Sequence, residues 1–297
     1  TCQYQVGLRA QNAAGQFDDA WLTIEVQSES QAWTTANTLC VSNTLDTAAD
    51  WTGFDKACPQ GATKLNQLPD ADDFANKLIL LHKGDTFSQN IAPMMSQSNF
   101  KIGFFGDDDA PKPFIDGQMV MGVSRISGGE LHAPTLWWTF ASHQDVAEMG
   151  WPENITIEGI KAHSVSLPMS YQHIGLHDID LNRQDQESGG YVSLARGNLY
   201  CYDFPEATGK GLPCDMVPFP KGAYLSKVEM VGGDNAETGG MALNIGAIGC
   251  GMTNYVGLVD SYIRKAFEHN LRVMGWYRFN IMRNHFAGEH YASSKQK

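Results

Sequence analysis

The sequence predicts an all-β protein built as a solenoid of short stacked strands, and three observations carry that prediction. The first is an eight-residue template. Val256-Gly-Leu258-Val-Asp260-Ser-Tyr-Ile263 and Phe279-Asn-Ile281-Met-Arg283-Asn-His-Phe286 both place apolar residues at offsets 0, 2 and 7, with a polar corner at offset 4. Ile155–Ala162 and Ile174–Leu181 fit the same template. The second is spacing: the starts at 155 and 174 lie 19 residues apart, and those at 256 and 279 lie 23 apart. The third is length, since the apolar runs between polar corners hold only four to six residues. Self-similarity near 20 residues built from strands is the mark of a β-solenoid. One strand pair cannot bury its apolar side alone, so each coil must stack on the next.

Composition narrows the function classes. With 297 residues the chain can form one large all-β domain, or that domain and a small companion. No run of eighteen apolar residues occurs, so no membrane span is predicted. A formal net charge of -12 argues against a nucleic-acid partner, because phosphate binding needs a basic surface. Six cysteines stand at positions 2, 40, 58, 201, 214 and 250. Cys40 with Cys58, and Cys201 with Cys214, each lie across a loop rich in Gly, Pro and Asp that has little core of its own. Closing such a loop is worth roughly 3 kcal/mol in the chain-entropy model. No CxxC is present, and no His follows at zinc spacing, so disulfides in an oxidising compartment are expected instead. Cys250, between two glycines, reads as a small buried thiol, and Cys2 has no evident partner.

Taken in order, residues 1–27 give a hairpin signal. Tyr4, Val6, Leu8 and Ala10 alternate with polar residues, Asn12–Gly15 supply a turn, and Leu22, Ile24 and Val26 alternate again. Residues 28–77 read as a linker followed by an irregular cap, with a short helix that starts at Pro69-Asp70 and runs over Asp72–Asn76. The solenoid is expected over 78–297. It opens with the apolar strand after Lys77 and its Gly84-Asp85 corner, and continues with Phe100–Phe104. Residues 117–152, with Trp137, Trp138, Phe140 and Trp151, and residues 203–222, with Cys214, read as insertions. Between 174 and 256 there is room for three to four coils, with strands at Tyr191–Leu199 and Leu225–Met230. The last strand has no visible cap, so further coils and domains are expected in a longer chain.

Two resemblances sharpen this picture. The pattern Y-x-V-x-L-x-A-x-N-x-x-G followed by T-I-x-V, over residues 4–26, resembles the last two strands of an Ig-like domain of the polycystic-kidney-disease repeat type. The strand leading into Lys83-Gly-Asp-Thr-Phe87, taken with the repeats, resembles right-handed parallel β-helix proteins of the pectin-lyase-like group. That resemblance covers residues 78–290 at the level of the fold. It implies an exported bacterial protein, extracellular or on the cell surface, that binds a polysaccharide, with cleavage of that polymer as the further expectation.

Candidate site residues follow from the template. Offset 6 points outward and holds Lys161, Asp180, Tyr262 and His285; offset 8 holds His163, Asn182 and Arg264, and the next position holds Ser164, Arg183 and Lys265. Polar groups about 4.8 Å apart along a sheet can engage successive units of a polymer, although a solvated sheet face is polar in any case. Three constellations compete for chemistry. Arg264, Lys265, Arg272 and His285 could neutralise a uronate carboxylate and take the adjacent proton in a β-elimination. Trp276 lies close by and could stack on a sugar ring. Asp178, Asp180 and Asp260 could form an acid pair for hydrolysis, but offset 4 is a corner, where Asp is ordinarily a turn former. Asp107-Asp108-Asp109 and Asp234–Glu237 could hold calcium, though neither fits a known calcium loop. The expected activity is therefore polysaccharide binding with lyase-type cleavage favoured over hydrolysis. The alternative is a non-catalytic adhesin or filament module.

Overall fold

The structure, a computed structural model, describes residues 2–26, 33–46, 50–54, 58–94, 96–120, 124–125, 131–132, 152–166, 172–182, 192–194, 221–231, 243–246, 253–264, 271–274 and 276–287. Its core is a stack of parallel coils, as the template required. Sheet A has nine parallel strands in the order Thr63–Leu65, Thr38–Val41, Leu78–His82, Phe100–Phe105, Glu153–Glu158, Gln172–His177, Lys221–Ser226, Thr253–Val259 and Trp276–Met282. A second sheet of ten strands divides at Lys161–Ser166. The first residues of that strand pair with Asp180 and Leu181, and its last residues pair with Val192 and Ser193. Arm B then continues through Glu229–Val231, Tyr262–Arg264 and His285–Ala287; arm C continues through Leu243–Gly246 and Leu271–Met274. The result is a parallel β-helix.

The interior is a set of apolar ladders. Phe100, Ile155, Ile174, Ala223, Val256 and Phe279 align on neighbouring coils, and so do Ile102, Ile157, Leu176, Leu225, Leu258 and Ile281. Ile155, Ile157, Ile174, Leu176, Val256 and Leu258 are all buried. Ile281 departs from expectation and is 43% exposed. It lies in the end strand of sheet A, and among the described residues no strand pairs with its outer edge. Phe286 on the same coil is exposed for the same reason.

The corner at offset 4 explains how the chain passes from sheet A to arm B. Gly159, Asp178, Lys227, Asp260 and Arg283 all have φ between 51° and 64°. One left-handed residue turns the chain sharply, so that the following residue points inward. Ile160, Ile179 and Val228 fill that inward place and are buried. The column continues with Ser261, whose hydroxyl donates to the Val259 carbonyl and accepts from the Val228 amide. Lys227 marks a coil that the template missed.

Four features differ from the sequence expectations. Sheet A places only Lys221–Ser226 between Gln172–His177 and Thr253–Val259, so one coil occupies the stretch expected to hold three or four. Among the described residues between them, Val192–Leu194 and Leu243–Gly246 form rungs of arm C. Leu225–Met230 is not one strand, because it turns the corner at Lys227. The expected helix at Asp72–Asn76 is a run of turns. The side-chain carbonyl of Gln97 accepts from the Phe74 and Ala75 amides, which supports those donors without a helix too short to be stable. Sheet A also reaches back to Thr38, within the segment read as a cap. Thr63–Leu65 folds back along the outer edge of Thr38–Val41 and pairs with it, which covers an otherwise open edge.

At this end the outside of sheet A is covered too. Cys40, Trp51, Cys58, Leu78, Leu80 and Phe105 form a second apolar cluster. Trp51 stacks on Phe105 with ring centroids 5.7 Å apart, and Cys40 is bonded to Cys58 as expected. The N-terminal hairpin is present: Cys2–Gln11 pairs antiparallel with Phe17–Val26 as a separate two-stranded sheet. Cys201, Cys214, Cys250 and the tryptophans at 137, 138 and 151 lie outside the described residues. Among the described residues no helix is long and apolar enough to cross a membrane.

Candidate functional site

The corner geometry sets the outward residues of arm B in register. Phe114, Lys161, Asp180, Glu229, Tyr262 and His285 align on successive coils. Four of them were expected from offset 6, and Glu229 comes from the missed coil. Adjacent rungs lie about 4.8 Å apart, so the column is a continuous strip of polar and aromatic side chains.

One end of the strip satisfies itself. The Lys161 ammonium lies over the Phe114 ring, 4.9 Å from its centroid. The Lys112 ammonium reaches Asp178 Oδ1 at 3.0 Å and Asp180 Oδ1 at 2.9 Å. Burial lowers the Lys112 pKa, but its bonds to Asp180 and Asp178 outweigh that and leave it raised. The two carboxylates thus clamp a lysine. Asp260, the third candidate acid, forms a two-pronged ion pair with Arg283. That pair holds the exposed Asp260 carboxyl below its ordinary range.

The other end brings candidate residues together. The Arg264 guanidinium lies 5.7 Å from the Tyr262 ring centroid, and Tyr262 meets the His285 ring edge to face at 5.0 Å. Glu229 Oε1 stands 4.0 Å from Arg264 Nη2. Arg264 Nε is buried without a hydrogen-bond partner. Arg272 lies in strand Leu271–Met274 of arm C, and Trp276 begins the last strand of sheet A. Their side chains lie outside the described structure, as does Lys265 entirely.

His163, expected on the outward face, is buried against its neighbours. The pairing register shifts between Ala162 and Ser164, and His163 is only 7% exposed. Its Nε2 lies 2.9 Å from Asp116 Oδ1, and its ring packs edge-on against Phe114. The calcium candidate at Asp107–Asp109 is an exposed turn whose Asp108 carbonyl accepts from the Lys83 ammonium at 2.6 Å. Among the described residues no three His, Cys, Asp or Glu side chains converge as metal ligands. Asp234–Glu237 lies outside them.

Sequence reasoning missed a second surface on the outside of sheet A. Near the start of the helix this face carries a Lys101–Glu158 ion pair at 2.9 Å, and further along His177 Nδ1 lies 2.7 Å from Ser226 Oγ. Beyond them an open groove of about 480 Å³ runs between Tyr224 and Tyr255, bordered by His173 and Asn280. Both tyrosines are about half exposed. Tyr224 stands between Gly175 and Gly257 in the paired register. No periodic signal marks this groove, because the two rings sit at different offsets of their coils.

The fold defines the chain as a parallel β-helix whose outward faces carry a polar strip and an aromatic groove. Compared with known protein families, curated proteins and solved structures, the chain matches none.

Proposed function

We propose that the protein binds an extracellular acidic polysaccharide along arm B and cleaves it by β-elimination beside Arg264. The observation that carries this reading is the contact chain from Arg264 through Tyr262 to His285 at one end of an in-register strip. Elimination in a uronate removes the proton next to the carboxylate and expels the glycosidic oxygen at the neighbouring carbon. Charge grows on the carboxylate as that proton leaves, so a fixed cation lowers the barrier. Arg264, with Lys265 next in the chain, supplies the cation. His285 takes the proton as general base, and Tyr262 holds its place against both. Lys161, Asp180, Arg272 and Trp276 are proposed to grip the flanking sugars. The pectin-lyase-like resemblance agrees with this reading, and the Cys40–Cys58 bond agrees with an oxidising, extracellular setting.

Glu229 favours a second reading. It stands beside Arg264 and offsets its charge, which suits a non-catalytic cell-surface module. The test is incubation with a panel of uronate polymers while following ultraviolet absorbance from unsaturated ends. Arg264→Ala and His285→Ala should each abolish product formation, whereas Glu229→Gln should preserve or raise it. If Arg264→Ala and His285→Ala retain full turnover, the chemistry lies elsewhere; if no polymer yields product, the non-catalytic reading stands.

A further inference from the structure

The groove on sheet A carries an inference separate from the polar strip. It rests on two tyrosines that break the rules their positions otherwise obey. Tyr255 belongs to a column in which Asn76, Asn99, Asn154, His173 and Gly222 also have φ between 54° and 73°. Asn and Gly enter the left-handed region at little cost, and a bulky aromatic does not. Asn99 donates to Asn76, Asn154 donates to Asn99, and His173 lies 3.2 Å from Asn154, so this column holds itself together by side-chain bonds. Tyr255, with φ 57°, puts an exposed ring at a position where the fold favours a small amide. Strain of this kind marks positions kept for something other than stability.

Tyr224 gives the independent second observation. A Cβ placed on Gly257 would fall 2.8 Å from Tyr224 Cδ2, so the Tyr224 ring packs into the space that this glycine leaves on the neighbouring strand. On its other flank a Cβ at Gly175 would meet only ordinary contacts, the nearest atom being Thr156 Oγ1 at 3.6 Å. Glycine inside a strand weakens it and commonly marks close approach of another group. Here Gly257 makes room for the tyrosine ring, and Gly175 leaves the strand on its other side without a side chain.

We infer that this groove binds a neutral oligosaccharide of pyranose rings. Tyr224 and Tyr255 sit on adjacent coils in a diagonal relation, which in a sheet separates residues by about 7–8 Å, so two platforms can take two sugars of one chain. An exposed ring face matches the apolar face of a pyranose. The tyrosine hydroxyls, His173 and Asn280 offer hydrogen bonds to its rim. Among the described residues the lining contains no Asp, Glu, Lys or Arg, and Arg283, whose charge is felt at Tyr224, is paired with Asp260. In a chain of net charge -12, such a lining admits a neutral sugar and offers an anionic one no counter-charge beyond the Arg283 already paired with Asp260.

The test is calorimetric titration of the whole protein with hexasaccharides of β-glucan, xylan and mannan, and with hexagalacturonate as the acidic comparison. At least one neutral hexasaccharide should bind at millimolar concentration. Tyr224→Ala should weaken it by about tenfold or more. Tyr255→Asn should weaken it to a similar extent while keeping or raising the melting temperature, because Asn suits that backbone. Gly175→Leu, whose Cβ would meet only ordinary contacts, should block binding with the fold intact. The inference is overturned if no neutral hexasaccharide binds, if binding survives all three substitutions, or if hexagalacturonate binds through the tyrosines more tightly.

Discussion

The buried carboxylate of Asp85 offers the clearest test of what anchors the first coils. It is 3% exposed and accepts four hydrogen bonds or close polar contacts. Ser42 Oγ donates at 2.7 Å, the Asn43 amide at 3.0 Å and Thr44 Oγ1 at 2.6 Å, while His82 Nδ1 lies at 3.0 Å. These partners tie the loop after Thr38–Val41 to the corner after Leu78–His82. Hydrogen bonds to a charged group contribute about 1.5–3 kcal/mol each, but four sharing one carboxylate do not add. Asp85→Ala should therefore cost about 4 kcal/mol, a large share of the 5–15 kcal/mol typical of a domain. Asp85→Asn keeps the shape and one acceptor, so about 2 kcal/mol is expected.

The pH dependence follows from the same contacts. Burial raises the Asp85 pKa, but hydrogen bonds from Ser42, Thr44 and His82, with the charge of His82, outweigh it and hold it below the ordinary 3.8. A depressed carboxyl stabilises the fold above its unfolded pKa, and that contribution is lost as pH falls through the folded value. The gap between native and Asp85→Asn proteins should thus be full at neutral pH and close in acid below 3.8. Guanidinium unfolding across this range measures the gap, and hydrogen exchange at the Asn43 and Phe114 amides reports the loss locally. A variant as stable as the native protein at pH 7, or a gap unchanged by acid, would refute the reasoning.

Two other outcomes probe the fold. Cys58→Ser opens a link between residues 18 apart, and should cost roughly 3 kcal/mol, concentrated in the first coils; unaltered exchange at Leu39–Val41 would show that the apolar cluster suffices alone. Leu258→Ala, at a fully buried rung, should cost about 3 kcal/mol, whereas Ile281→Ala, 43% exposed, should cost less than about 1.5 kcal/mol. Equal effects on the denaturation midpoint would mean that the last coil is covered in solution.

What the sequence displayed was the part of the fold that repeats. Offsets 0, 2 and 7 face the interior on successive coils, where shape and hydrophobicity leave few residue choices, so the pattern recurs and can be aligned by eye. The coil at 223–230 was expected only as a strand at Leu225–Met230 and not as a copy of the template, because Ala223 is a weak apolar marker and its neighbours in the stack start 49 residues before and 33 after, beyond any fixed period. The strand at Thr38–Val41 escaped for another reason. Both of its faces are buried, so it shows no alternation, and its partner Thr63–Leu65 is largely exposed.

The outward faces obey a different constraint. A residue there is held to its column by the backbone but to its identity only by what it touches, so neighbouring coils can diverge without disturbing the core. The arm B strip was legible because one offset supplies five of its six members, Phe114 being the exception, even though Glu229 was absent from the count. His163 is buried rather than free to meet a ligand, because Phe114 and Asp116 pack against it beside a register shift inside Lys161–Ser166. Tyr224 and Tyr255 belong to different columns of different coils, and only the pairing of Tyr224 with Gly257 brings them to one groove. In a solenoid the core is therefore written along the chain, while a binding surface is written across it, at right angles to the direction in which a sequence is read.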